Sequence, residues 1–279
     1  MTEAQWKLVV DQQGVTIASD KFQFTTNGTR QSDAELDFEE QMAMNSAESS
    51  YMEAVISQLQ TMTRRTYGQY CGVGRALEII GERWSVLLVR DLLIRPKSFH
   101  ELNQGFPASA TEILSARLRE LEHGGVVKQF TDSDGENRYR LTAFGRELDD
   151  IVIRLGRWGA RLLGDPRPED VATPDSVRMA LRTTFRPEAA AGLKVSYQFN
   201  LGDMVIYAKI DDGEIETGEG PLPGADLVLE PGLALKPMMT GELTAAEAME
   251  TRDFKYFGDP TLISTFTTLF RILPMPIDC

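Results

Sequence analysis

A helix that must stop and a hairpin that must follow it are written between Ser109 and Thr142. Leu114, Leu118 and Leu121 recur at the three- or four-residue spacing that gathers side chains on one face of an α-helix. Ser109-Ala-Thr-Glu112 reads as a capping box at its start, and Gly124-Gly125 supplies the backbone freedom a helix C-terminus needs. Val126–Thr131 and Arg138–Thr142 then read as strands around Asp134-Gly135, a tight-turn signal.

Helical patterns flank this run on both sides. Upstream, Val73, Leu77, Ile80, Trp84, Leu87 and Leu88 keep a helical period until Pro96, and a first helix is expected over Gly72–Trp84. A short helix is expected over Phe99–Phe106, closed by Gly105 and Pro107. Downstream, Leu148, Val152, Leu155, Trp158 and Leu162 predict a long helix from Thr142 to about Leu163, with a stripe suited to a helix-helix seam or an internal core.

Helix, tight turn, second helix and hairpin, in that order, define a winged helix-turn-helix. With the leucines inward, the second helix turns Thr111, Glu112, Ser115 and Arg119 outward, with Ser109 at its start. Small polar residues there let a helix end enter a major groove, while Arg117 and Arg119 suit phosphates. Lys128, Arg138 and Arg140 on the hairpin are expected to reach the adjoining DNA backbone or minor groove, beside an acidic tip of Asp132, Asp134 and Glu136. Glu112 serves either the cap or a cytosine amino group.

The formal charge of −13 opposes nucleic-acid binding only as an average. Residues 66–164 hold 14 Lys/Arg and 13 Asp/Glu, net +1, whereas residues 1–65 are net −5 and residues 165–279 net −9. Acidic flanks weaken non-specific phosphate binding and leave the middle segment competent for a local site.

The blocks YCGVGRALEIIGERWSVLLVRDLL, SFHELNQGFP, ILSARLRELEHGGVV and RYRLTAFGREL resemble the HxlR-type branch of the MarR-like winged-helix regulators. The resemblance covers about 95 residues. It implies a homodimer on a pseudo-palindromic site of double-stranded DNA, with the 109–123 helix in the major groove and the flanking helices at the dimer seam. It also draws notice to Cys71, since some members use a cysteine at this place as a redox or electrophile sensor. A helix N-terminus and Arg75 one turn on would favour a thiolate there.

Beyond Asp165 a stretch rich in proline and charge reads as a stiff linker, followed by a helix over Val177–Phe185. Period-two runs at Val195/Tyr197/Phe199, Met204/Ile206/Ala208/Ile210 and Ala225/Leu227/Leu229 then predict strands. Short helices are expected around Leu233–Met239, Ala245–Met249 and Thr261–Leu273. VSYQFNLGDMVIYAKIDDGEIETGEG, ADLVLEP, MMTGEL and FKYFGDPTLISTFTTLF resemble the sterol-carrier-protein type-two-like fold. That resemblance implies a tunnel for a small hydrophobic ligand, with Met238, Met239, Phe266, Leu269 and Phe270 as lining or, alternatively, as closed core.

The fold expected is therefore α+β. Residues 62–164 form the winged helix, 165–177 a linker, and 178–279 the sterol-carrier-like domain. Residues 1–61 are an N-terminal extension, disordered or an over-called translation start; within them short strands near Lys7–Val10 and Lys21–Phe24 are expected to pair, and a helix is expected over Ala34–Met44. No export signal or apolar span is seen, which places the chain in the cytoplasm and off the membrane.

Cys71 and Cys279 make no disulfide framework, and two isolated histidines, His100 and His123, make no metal site. No phosphate-binding loop, dinucleotide fingerprint or nucleophile elbow is present, so neither cofactor nor catalysis is expected. A transcription regulator modulated by a hydrophobic ligand or by thiol oxidation is the reading these features favour. The rival is a hydrophobic-ligand carrier whose winged helix mediates protein contacts.

Overall fold

The computed structural model describes residues 7–11, 14–18, 23–25, 66–107, 110–167 and 170–275. The chain divides into two units, Met1–Arg65 and Thr66–Cys279. In the first, β1 (Lys7–Asp11), β2 (Gly14–Ala18) and β3 (Gln23–Thr25) form an antiparallel sheet in that order. The expected pairing of the Lys7 and Lys21 runs is thus corrected: each pairs with the Gly14–Ala18 strand between them. The helix expected over Ala34–Met44 lies outside the described residues.

The second unit opens with α1 (Gly72–Ile80), whose N-cap is Cys71. This helix ends earlier than its apolar period suggested. A Cβ at Gly81 would fall 2.4 Å from the Leu77 carbonyl oxygen, so only glycine fits there. Trp84 then takes a left-handed backbone (φ 79°) and starts α2 (Ser85–Ile94). The single helix expected over Gly72–Trp84 is therefore a helix and a turn. The Trp84 ring meets Phe106 edge-on at 5.5 Å, and packing holds the unusual backbone in place.

β4 (Lys97–Ser98) leads into α3 (Phe99–Gln104). The capping box of this region belongs to α3: Ser98 Oγ accepts from the Glu101 N–H, and Glu101 Oε2 accepts from the Ser98 N–H at 2.7 Å. The box expected at Ser109–Glu112 involves a residue outside the described ones. α4 (Thr111–His123) starts after Ala110, whose own side chain cannot cap it, and Ser109 is that residue.

β5 (Val127–Thr131) and β6 (Asn137–Leu141) pair in register around the expected turn, where Gly135 has φ 80°. β4 pairs with the far side of β6, giving the order β4-β6-β5. The expected long helix from Thr142 is two: α5 (Ala143–Arg146), capped by Thr142, and α6 (Asp149–Ala160). Leu88, Leu92, Leu102, Leu114, Leu118, Leu121, Val127, Leu141 and Val152 form one buried core beneath these elements.

α7 (Pro174–Thr184) begins inside the expected linker, because Thr173 and Ser176 form a reciprocal cap and proline suits the first turn. It packs on α6, α2 and the sheet that follows. Arg157 of α6 donates to the Thr183 and Phe185 carbonyls, both at 3.1 Å, satisfying groups that a helix end leaves open.

That sheet contains β7 (Lys194–Leu201), β8 (Met204–Asp211), β9 (Glu214–Glu219), β10 (Leu227–Glu230) and β11 (Lys255–Gly258). Its order is β11-β10-β7-β8-β9, with β10 and β7 parallel and the other pairs antiparallel. β9 and β11 lack the period-two apolar signal in sequence: the inward positions of β9 are Ile215, Thr217 and Gly218, with one large apolar side chain among them, and β11 is exposed throughout.

Three further helices, α8 (Leu235–Thr240), α9 (Ala245–Glu250) and α10 (Thr261–Leu269), supply buried residues to the same core as the sheet. Tyr197, Phe199, Phe266 and Phe270 meet at its centre, with Phe266 and Phe270 stacked at 5.0 Å. The proposed tunnel residues Met238, Met239, Phe266, Leu269 and Phe270 are all buried in this packed cluster. Burial of this kind is what both the tunnel and the closed-core alternatives require of them.

Candidate nucleic-acid interface

α4 is held from below and open above. Leu114, Leu118 and Leu121 have no more than 1% exposure, which pins the helix to α2 and β5. Glu112, Ser115 and Arg119 are exposed on the opposite side. Thr111 is half-buried, and its hydroxyl donates to Asn103 Oδ1 of α3 at 2.8 Å, tying the two helices at their turn. Ile113 is 44% exposed in the first turn of α4, a position the leucine spacing did not single out. Its signal was its place: one residue before Leu114, it points away from the leucine face.

The basic residues divide sharply. Arg119 and Lys128 are exposed. Arg117 instead folds back on Glu120 and lies 3.9 Å from Glu82, with little of its side chain exposed. Arg140 lies over the Phe130 ring at 4.5 Å. Arg138, expected to reach DNA backbone, is enclosed by three carboxylates: Glu101 at 2.7 Å, Glu136 at 3.0 Å and Asp132. Three of its N–H groups are engaged by these carboxylates, which therefore compete with any phosphate for the rest of the guanidinium.

These carboxylates show the same balance. Burial pushes the Glu101 carboxyl up, but the Ser98 N–H, Arg95 and Arg138 outweigh it and hold it at about 2. Asp132 is held below the usual carboxylate range, chiefly by its hydrogen bond with Arg138. Its Oδ1 also accepts from the Asp134 and Glu136 N–H groups, so the acidic tip is an ordered turn. The sequence held a signal for Glu101, since Ser98-x-x-Glu101 is itself a capping-box pattern.

Residues 79–166 match the model of the HxlR-like helix-turn-helix family. Over 93 residues the chain is 32% identical to the helix-turn-helix-type transcriptional regulator YdeP of Bacillus subtilis, covering 33% of this chain and 73% of that protein. The chain belongs to the HxlR-like helix-turn-helix family. A helix-turn-helix-type transcriptional regulator of Mycobacterium tuberculosis is 41% identical over 101 residues, which are 35% of this chain. The chain spans 61% of the length of that mycobacterial relative. Among solved structures, the redox regulator HypR in its reduced form is similar, with 32% identity, a TM-score of 0.30, and coverage of 32% of this chain and 90% of that one. Both bacterial relatives are helix-turn-helix-type transcriptional regulators by name.

The HxlR-like segment holds the winged helix and stops before α7. Cys71 lies just outside it, exposed at the N-cap of α1, with Sγ accepting from the Gly74 N–H at 3.2 Å. Arg75, expected to assist it, pairs with Glu78 at 2.8 Å. Cys279 lies outside the described residues. Among the described residues no group of three or more His, Cys, Asp or Glu side chains is placed to hold a metal ion. Among them, too, no helix is long and apolar enough to cross a membrane.

Proposed function

We propose that this protein is a homodimeric, cytoplasmic transcription regulator that reads a pseudo-palindromic operator in double-stranded DNA with α4. The observation that carries the proposal is the two-sided character of that helix: three leucines buried beneath, and Glu112, Ile113, Ser115 and Arg119 exposed above. A helix anchored in this way can enter a major groove without losing its core. Exposed Arg119 and Lys128 suit phosphates, while Ile113 and Ser115 suit base edges, thymine methyl groups included.

Dimerisation through the flanking helices is supported by their bare apolar faces. Val73 and Leu77 on α1, and Ile151, Leu155 and Trp158 on α6, are all at least 41% exposed. The 62–164 and 178–279 boundaries are retained as functional divisions, with the second a sterol-carrier-like body joined to the first through α7. Phe266 and Phe270 are buried and stacked on each other whereas Cys71 is exposed, so of the two modulations thiol oxidation at Cys71 is the one favoured, ahead of a hydrophobic ligand.

The test is a mobility-shift titration of the full chain with DNA from upstream of its own gene, at two salt concentrations. A discrete complex that weakens steeply between about 50 and 200 mM salt is expected. Absence of any salt-sensitive complex, with bound lipid co-purifying, would favour the carrier.

A further inference from the structure

We infer that the body beyond α7 positions the wing through a relay of ion pairs, with Arg95 and Glu101 as the central positioning residues. The inference rests on the reading of β5–β6 as the DNA-facing wing. The relay starts on β9, where the Thr217 carbonyl accepts from Arg178 Nη2 at 2.8 Å. Arg178 Nη1 meets Asp175 Oδ1 at 2.9 Å. The other oxygen of Asp175 takes Lys97 Nζ at 2.8 Å and lies 3.5 Å from Arg95 Nε. Arg95 Nη1 continues to Glu101 Oε1 at 2.6 Å, and Glu101 Oε2 receives Arg138 Nη1 at 2.7 Å. Arg138 ends the series on Asp132 and Glu136 at the wing tip.

Burial makes this more than a surface pattern. Asp91, Lys97 and Asp175 are 0%, 3% and 4% exposed, and Lys97 sits between the two carboxylates, 3.2 Å from Asp91. Charges withdrawn from water to this degree are tolerated only with their partners in place. These three therefore fix one another, and Arg95, Glu101 and Arg138 extend the series outward to the wing. Asp175 is the second residue of α7, so the rigid start of that helix sets where Lys97 and Arg95 lie. Lys97 and Ser98 also form β4, which pairs with Tyr139 and Arg138 of the wing strand. The turn bonds of the hairpin tip are made on Asp132, which Arg138 holds, so the link bears on how firmly the tip stays closed. Through β4 it also sets where the hairpin stands relative to α4.

The experiment uses the full chain with Arg95→Gln, Glu101→Gln and Asp175→Asn. Glu101→Gln keeps an acceptor for the Ser98 N–H while removing the charge, and Arg95→Gln cuts the relay at a half-exposed link. Amide hydrogen exchange is followed at residues 131–137, with α4 amides as internal reference. Each variant is expected to speed wing exchange about threefold to tenfold with α4 unchanged. Asp175→Asn added to Arg138→Gln is expected to exchange no faster than Arg138→Gln alone. Wing exchange within about twofold of the parent in both Arg95→Gln and Glu101→Gln, or additive effects in the double variant, would overturn the relay. If Asp175→Asn does not fold, the other two variants decide. None of these readings involves DNA, so their failure leaves the regulator proposal standing. Failure of the parent chain to bind DNA leaves the relay standing.

Discussion

Gly156 of α6 lies against Thr183 of α7 so closely that a Cβ at position 156 would fall 2.5 Å from the Thr183 methyl carbon. The contact joins the last helix of the winged module to the first helix of the body beyond it, and Arg182 reinforces it by pairing with Asp149 at 2.9 Å. A threonine side chain is branched at Cβ and yields poorly. Gly156→Ala gains up to about 1 kcal/mol of helix propensity but incurs about 1–3 kcal/mol of overpacking. A net loss of about 1–2 kcal/mol is expected in denaturant unfolding. Gly159, with nothing within 4 Å of a Cβ, is the control, and Gly159→Ala is expected to be neutral or stabilising.

Glu101 gives the molecule a defined acid response. Its carboxyl is lowered from 4.5 to about 2 in the folded chain, so the ionised form is the one that folding favours. The stability it contributes is fully present above about pH 4.5 and is lost as pH falls through about 2. Allowing for its partial exposure, that contribution is roughly 1–3 kcal/mol. Glu101→Gln is expected to flatten the pH dependence of unfolding across this window, leaving it unchanged near pH 7. A slope between pH 4.5 and 2 identical to the parent's would show that other carboxylates govern it.

The two arginines on the second half of α4 are expected to behave differently toward DNA. Arg119 is exposed, whereas Arg117 is turned back on Glu120 and toward Glu82. Arg119→Ala is expected to weaken binding evenly across sequences and to reduce the salt slope by about 1. Arg117→Ala is expected to change the slope by less than half of that, because its charge is already shared. Fluorescence anisotropy over a salt series measures both, and equal slope changes would remove the distinction.

Much of this was readable in advance, and the misses share a cause. The leucines at 114, 118 and 121 and the Asp134-Gly135 turn depend on neighbours in sequence, and each stands where its spacing put it. The breaks at Gly81 and between α5 and α6 were hidden because an apolar period runs on when two helices meet the same core. The carboxylate partners of Arg138 are not legible in the sequence, because Glu101 lies 37 positions away and charge spacing says nothing of such a partner. The start of α7 was hidden by its prolines, which mark a linker and a first helical turn equally well. Family likeness ends near residue 166, so the contacts of α7 with the wing module had no counterpart in any local pattern.

The stripe on α6 splits into two, and that split yields the prediction with the widest consequence. Val152 and Leu148 pack into the core of the winged module, while Ile151, Leu155 and Trp158 are 51%, 47% and 62% exposed. Three large apolar side chains on one helix face cost free energy in water unless a partner covers them. Trp158→Glu removes apolar surface that the isolated chain does not bury, so its unfolding midpoint is expected to stay close to the parent's. Its sedimentation is expected to move from dimer to monomer. Loss of the second half-site contact then lowers operator affinity by about 10²-fold or more, since linkage of two reading heads supplies gains of that order. A Trp158→Glu chain that stays dimeric and binds as tightly as the parent would place the seam elsewhere. In that case the exposed Val73 and Leu77 of α1 become the face to substitute next.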